Sequence, residues 1–146
     1  MKLWKKCLIG AAIAVGLVVG IGQSTTVSAS SWHHGTPKAL RGKYQGKLPK
    51  HSALGFGPIS IISANHTVDQ SSGMPQIYVK NVKYKKYGHY YRIIGHGVKS
   101  GMYRGGQEDT MYYKKGRALK EQSTSQYKQH HHSFKWITKS QTLYKK

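Results

Sequence analysis

Beyond residue 29, no window of eleven or more residues keeps apolar side chains at the i, i+3, i+4, i+7 spacing of an amphipathic helix. The chain instead offers short β-branched and aromatic runs punctuated by glycine. Leu40–Tyr44 predicts a first short strand, and residues 46–57, with Pro49 and three glycines, predict a loop. Ile59, Ile61 and Ile62 predict a strand that ends at polar Asn65-His66, with turn residues again at Gln70–Gly73. Ile77 and Val79 share one face while Val82 and Tyr84 have the other parity, which predicts a bulge near Asn81. Lys85–Gly88 reads as a hairpin turn. After it, Tyr91 and Ile93 lie on one face and Tyr90, Arg92 and Ile94 on the other. Ala118–Gln122 reads as a strand, Phe134 and Trp136 predict a late strand, and Leu143-Tyr144 would close the sheet. The expectation is an all-β fold, a small antiparallel barrel or sandwich spanning 40–146, entered through a flexible polar segment at 30–39.

The first 29 residues read as a signal peptide. Lys2, Lys5 and Lys6 precede an apolar run from Leu8 to Gly22, and Val27-Ser28-Ala29 supplies small residues for cleavage after Ala29. The run is fifteen residues long, short of the roughly 20 that span a bilayer as a helix. Cys7 lies before the apolar run, not after it as acylation would require. The expected mature chain has no other long apolar stretch, hence no transmembrane segment, and is secreted, with retention at the cell surface open to it.

Export would permit disulfides, yet the only cysteine lies in the leader, which excludes a disulfide-stapled toxin or growth factor. The 117 residues after Ala29 carry 21 Lys and Arg against four acids, Asp69, Glu108, Asp109 and Glu121, a formal charge of +17. Only 18 of those residues are Leu, Ile, Val or Phe, below the roughly 20% that usually separates folded from disordered chains of high charge. Eleven tyrosines and two tryptophans supply the missing apolar area, since each aromatic ring buries about 150–250 Å².

The segment Trp32-His33-His34-Gly35-Thr36-Pro37-Lys38-Ala39-Leu40-Arg41-Gly42-Lys43-Tyr44 resembles the W-x-x-G-T-P-K-x-L-R-G-x-W/Y opening of small, uncharacterised secreted proteins of lactic-acid bacteria. That resemblance implies a lipocalin-like or similar small β-barrel outside a Gram-positive cell. Gly42-Lys43-Tyr44 is similar to the G-x-W of the first lipocalin strand, with tyrosine in place of tryptophan. It implies no catalytic residues.

Lysine interleaved with tyrosine is the strongest chemical signal. Lys80, Lys83, Lys85, Lys86 and Arg92 alternate with Tyr78, Tyr84, Tyr87, Tyr90 and Tyr91, and Lys114, Lys115 and Arg117 follow Tyr112-Tyr113. Such surfaces bind polyanions by releasing condensed counterions, and their rings can stack on bases or sugars. The eight cations are therefore the expected anion-binding residues. Their expected partners are the anionic polymers of the cell wall or lipid headgroups, with nucleic acid bound only non-specifically. Nothing in the sequence sets an oligomeric state.

Nine histidines, including His130-His131-His132, offer metal-ligand chemistry, but with few carboxylates and no H-E-x-x-H spacing, no metal site or cofactor is expected. They also offer added positive charge in acid. No enzyme is expected: no G-x-S-x-G, no cysteine after the leader, and no spaced carboxylate pair occurs. The first functional reading is a secreted, cationic, non-enzymatic protein held at the envelope by charge. The alternatives are a secreted antimicrobial or inhibitor, against which stands the missing amphipathic helix, and a β-barrel carrier of a small apolar ligand.

Overall fold

The computed structural model describes residues 31–146, so the expected leader lies outside the described residues. The strands are β1 (His33–His34), β2 (Gly42–Gln45), β3 (Ile59–Ile62), β4 (Thr67–Gln70), β5 (Ile77–Tyr87), β6 (Tyr90–Val98), β7 (Gly106–Lys115), β8 (Ala118–Ser123) and β9 (Leu143–Lys145); one helix, α1 (Thr124–Gln129), follows β8. Strands β2 to β9 each pair antiparallel with the next in sequence, and β9 returns to β2. The result is a closed, eight-stranded up-and-down barrel, which leaves none of these eight strands without two neighbours. The expected late strand at Leu143-Tyr144 is the one that closes it.

β5 is the longest strand and carries three neighbours. Its first residues pair with β4, as in Val68↔Tyr78, while Lys83 and Tyr84 pair with β1 on the same edge. Its other edge pairs with β6, and the register slips between Lys80 and Lys83. Asn81, at φ +54°, is the extra residue of the bulge anticipated from the sequence. The slip turns both Val79 and Val82 into the core, at 4% and 3% exposure. Gly95 faces them from β6: a Cβ there would sit 2.6 Å from one valine Cγ1 and 2.8 Å from the other, so only glycine lets the bulge pack.

The two ends of the barrel differ. The upper end holds the β5–β6 and β7–β8 turns. Inside it Leu40, Tyr44, Ile62, Val82, Ile93, Leu119 and Leu143 form one buried apolar cluster. Leu40 enters from a 3₁₀ turn at Lys38–Leu40 and is completely buried; the Tyr44 hydroxyl donates to its carbonyl at 2.7 Å. Residues 33–39, expected to be a flexible entry, are instead tied down. Gly35 N–H donates to the Val82 carbonyl at 2.8 Å, and the buried Thr36 hydroxyl donates to the Ser63 carbonyl. Arg41 reaches back to the Thr36 carbonyl at 2.8 Å. At Gly35, φ is +79° and a Cβ would lie 2.6 Å from the Ala64 carbonyl oxygen, so the sharp entry needs glycine. The segment from Trp32 to Leu40 is thus a lid for the upper end.

A second apolar cluster lies outside the β6–β7–β8 wall. Met111, Phe134 and Ile137 are its buried members, with Tyr90, Tyr113, Tyr127 and Trp136 packed round them. Phe134 and Trp136 do not form the late strand expected from their alternation. They sit in irregular chain after α1, held by Lys120, whose ammonium donates to the carbonyls of Phe134 (3.2 Å) and Ile137 (2.7 Å). The Trp136 indole donates to Gln122 at 2.7 Å, so that segment is fixed by side-chain hydrogen bonds in place of a ladder.

Candidate functional site

The placement of the four acids decides what the surface can do. Asp109 is on the outer wall, gripped by the Arg92 guanidinium through bonds of 2.8 and 2.5 Å, and it also accepts from Thr124 at 2.5 Å. These donors hold its carboxyl below the usual range, although burial works against them. Glu108 accepts a 2.5 Å hydrogen bond from Tyr103, which the β6–β7 loop folds back over Gly97. Asp69 of β4 and Glu121 of β8 point into the lower half of the barrel, where one carboxylate oxygen of each is cut off from solvent. Burial pushes Asp69 up to about 6, against the Ser60 hydroxyl, which favours its ionised form; the nearby Glu108 adds to the rise. Burial and then the charge of Asp69 push Glu121 up to about 8. Tyr112, beside both and 1% exposed, is also raised, first by its burial.

Among the described residues, Arg92–Asp109 is the one ion pair. The outer wall thus carries far more lysines than carboxylates, and its net positive charge reaches outward.

The eight expected anion-binding residues fall into several settings. Lys80 and Lys83 line an open groove of about 610 Å³ beside the β5 bulge, with His34, Gly35, Asn65, Tyr78, Asn81 and Val82. The groove exists because β4 leaves β5 at Val79 and β1 joins it only at Lys83. Tyr78 is 39% exposed and stacks on His66 with ring centres 5.0 Å apart. Lys86 and Lys114 meet at the upper rim around a smaller hollow of about 240 Å³, with His89 and Tyr91. Here the structure joins residues from the two separate lysine-rich stretches of sequence. Lys85 lies over the Tyr87 ring at 5.4 Å. Lys115 is exposed at the end of β7, and Arg117 binds the Lys145 carbonyl at 2.7 Å, fastening the β9 closure. Arg92 has a different position from the one its sequence company implied, since its guanidinium is engaged by Asp109 and packed 5.7 Å from the Trp32 ring.

Trp32 was not among the expected contacts, yet it is 37% exposed and lies between Lys83, at 5.6 Å, and Arg92. His34 and Asn65 likewise join the groove from elements distant in sequence. The predicted bulge was the available signal for them, because a bulge interrupts pairing and opens the sheet edge. His130-His131-His132 lies beyond α1, not in a strand; His130 stacks on Trp136 at 4.1 Å and His132 meets Tyr127 edge-on. Among the described residues no three His, Cys, Asp or Glu side chains converge as a metal site would require. No family model, curated protein or solved structure matches the chain.

Proposed function

We propose that this chain is an exported, non-enzymatic β-barrel that is retained at the cell envelope by binding anionic, phosphate-bearing wall polymers through its outer lysines. One observation carries the reading: the fold turns two of its four carboxylates into the barrel and engages the other two in specific bonds, while most of its many lysines lie outside. Lys80 and Lys83 in the bulge groove, and Lys86 and Lys114 at the upper rim, are the leading contacts. Tyr78 and His34 in the groove, with Trp32 against Lys83, give stacking surfaces beside the charge, which suits a polymer that alternates phosphate with sugar or polyol. Binding of this kind releases counterions and weakens steeply with salt.

The test is release from intact cells. Washing cells that export the protein with rising NaCl should leave it bound at low ionic strength and free it in a graded manner below about 1 M, where the screening length has shrunk to roughly 3 Å. Protein found free beside intact cells at low salt contradicts the proposal.

A further inference from the structure

Three loops meet at the lower end of the barrel, and each carries an exposed apolar tip. The β2–β3 loop presents Leu54 at 51% exposure, the β4–β5 loop Met74 at 62% and the β6–β7 loop Met102 at 82%. The loops touch one another. Gly55 N–H donates to the Ser72 hydroxyl at 3.1 Å, and a Cβ on Gly101 would lie 3.5 Å from Pro75. Two of the tips are built alike: Ser72-Gly73-Met74 and Ser100-Gly101-Met102 each place a left-handed glycine, at φ +77° and +53°, directly before the methionine. Their backbone bonds, Met74 N–H to the Ser71 carbonyl and Tyr103 N–H to the Ser100 carbonyl, fix both turns. A chain short of aliphatic residues thus spends three of them on solvent, at one end.

The same loops hold Lys47, Lys50, His51, Lys99 and Arg104, all exposed, and no acidic residue. The nearest acids on the flanking strands, Asp69 and Glu108, are enclosed in the lumen or bonded to Tyr103. Apolar tips ringed by cations match an interface whose interior is hydrocarbon and whose surface is anionic. A wall polymer offers phosphate but nothing apolar to receive Met102.

We infer that the lower end of the barrel is a membrane-docking face, which inserts Leu54, Met74 and Met102 into the headgroup–acyl boundary of an anionic lipid bilayer while Lys50, Lys99 and Arg104 contact the headgroups. Methionine and leucine supply buried area, and the lysines add attraction that depends on lipid charge. The inference rests on the reading of an exported protein with anionic partners, but it uses a different face from the bulge groove.

The experiment uses the full chain, with Met102→Trp in one variant and His89→Trp, at the opposite end, in another. Each is mixed with vesicles of phosphatidylglycerol and phosphatidylcholine whose acyl chains carry bromine, and tryptophan emission is compared with that of the unsubstituted chain. The added fluorescence of Met102→Trp should shift to the blue and be quenched at least twofold, while that of His89→Trp should stay unquenched. Equal quenching at both positions, or none at 102, overturns the inference, because only an oriented lower face distinguishes the two ends. Binding of the triple variant Leu54→Ser, Met74→Ser, Met102→Ser to soluble wall teichoic acid should equal that of the unsubstituted chain. Its loss would mean the tips serve polymer binding instead and would also overturn the inference. Failure of the unsubstituted chain to bind teichoic acid at low salt counts against the proposed function alone.

Discussion

Asp69 and Glu121 reach toward one another from opposite walls of the barrel, with the Ser60 hydroxyl close to both. β4 and β8 are separated by three strands in either direction round the sheet, so these carboxyls meet only because the barrel closes. Each is pushed upward, Asp69 to about 6 and Glu121 to about 8, chiefly by burial.

The pair fixes how stability responds to pH. Both groups hold protons more tightly when folded than when unfolded, so the native state binds more protons from the ordinary carboxyl range up to about pH 8. Stability must then fall as pH rises through that interval. Thermal unfolding should give a higher Tm at pH 5 than at pH 8, the stability difference being on the order of 5 kcal/mol. Glu121→Gln should flatten the dependence and raise Tm at pH 8. A Tm as high at pH 8 as at pH 5 contradicts this account. Below about pH 4 the lowered Asp109 acts in the other direction, and its contribution is lost as it protonates.

The lid is a packing device. Leu40 is fully buried among Tyr44, Ile62, Leu119 and Leu143, so Leu40→Ala should remove about 2–5 kcal/mol. Tyr44→Phe deletes one buried donor to the Leu40 carbonyl and should cost about 1 kcal/mol. Denaturant titration of the two variants measures both; equal, negligible shifts would mean that the segment from Trp32 to Tyr44 does not hold the barrel shut.

Arg92 and the groove lysines should separate cleanly. Arg92→Gln leaves Asp109 half-buried with the Thr124 hydroxyl and the Lys128 charge as its remaining support and should destabilise by about 1–2 kcal/mol, the ion pair being partly solvent-screened. Lys80→Gln with Lys83→Gln should leave Tm unchanged and weaken teichoic acid binding. Melting curves and a binding isotherm on the same samples check both; the reverse pattern would make Arg92 the contact.

These variants also mark how far the sequence could be read. The bulge at Asn81, β8 and the closing β9 follow from the local sequence, and so does the β5–β6 hairpin, although its turn lies at Gly88-His89 and not at Lys85–Gly88, because Lys85, Lys86 and Tyr87 pair with Arg92, Tyr91 and Tyr90. β4 was missed because Thr67 and Asp69 point into a polar part of the lumen, so the strand has no apolar face to display. α1 has six residues, too few for periodicity, and its only mark is the Ser123–Gln126 capping box. Phe134, Trp136 and Ile137 alternate like a strand but are fixed by Lys120 and Gln122, contacts that no spacing rule contains. The eight cations were legible as a composition. Their sorting into a groove, a rim, an ion pair and a strand fastener depends on which carboxylate or ring the closed barrel brings beside each.

In the function proposed, the excess of lysine charge on the outer wall binds phosphate polymer. The most direct measurement is the dissociation constant for purified wall teichoic acid across a salt series, for the unsubstituted chain and for Lys80→Gln, Lys83→Gln, Lys86→Gln, Lys114→Gln combined. If about four counterions are released at these lysines, affinity should fall roughly a hundredfold more steeply for the unsubstituted chain between 50 and 200 mM salt. A single slope shared by both proteins, or affinity that does not change with salt, would contradict it.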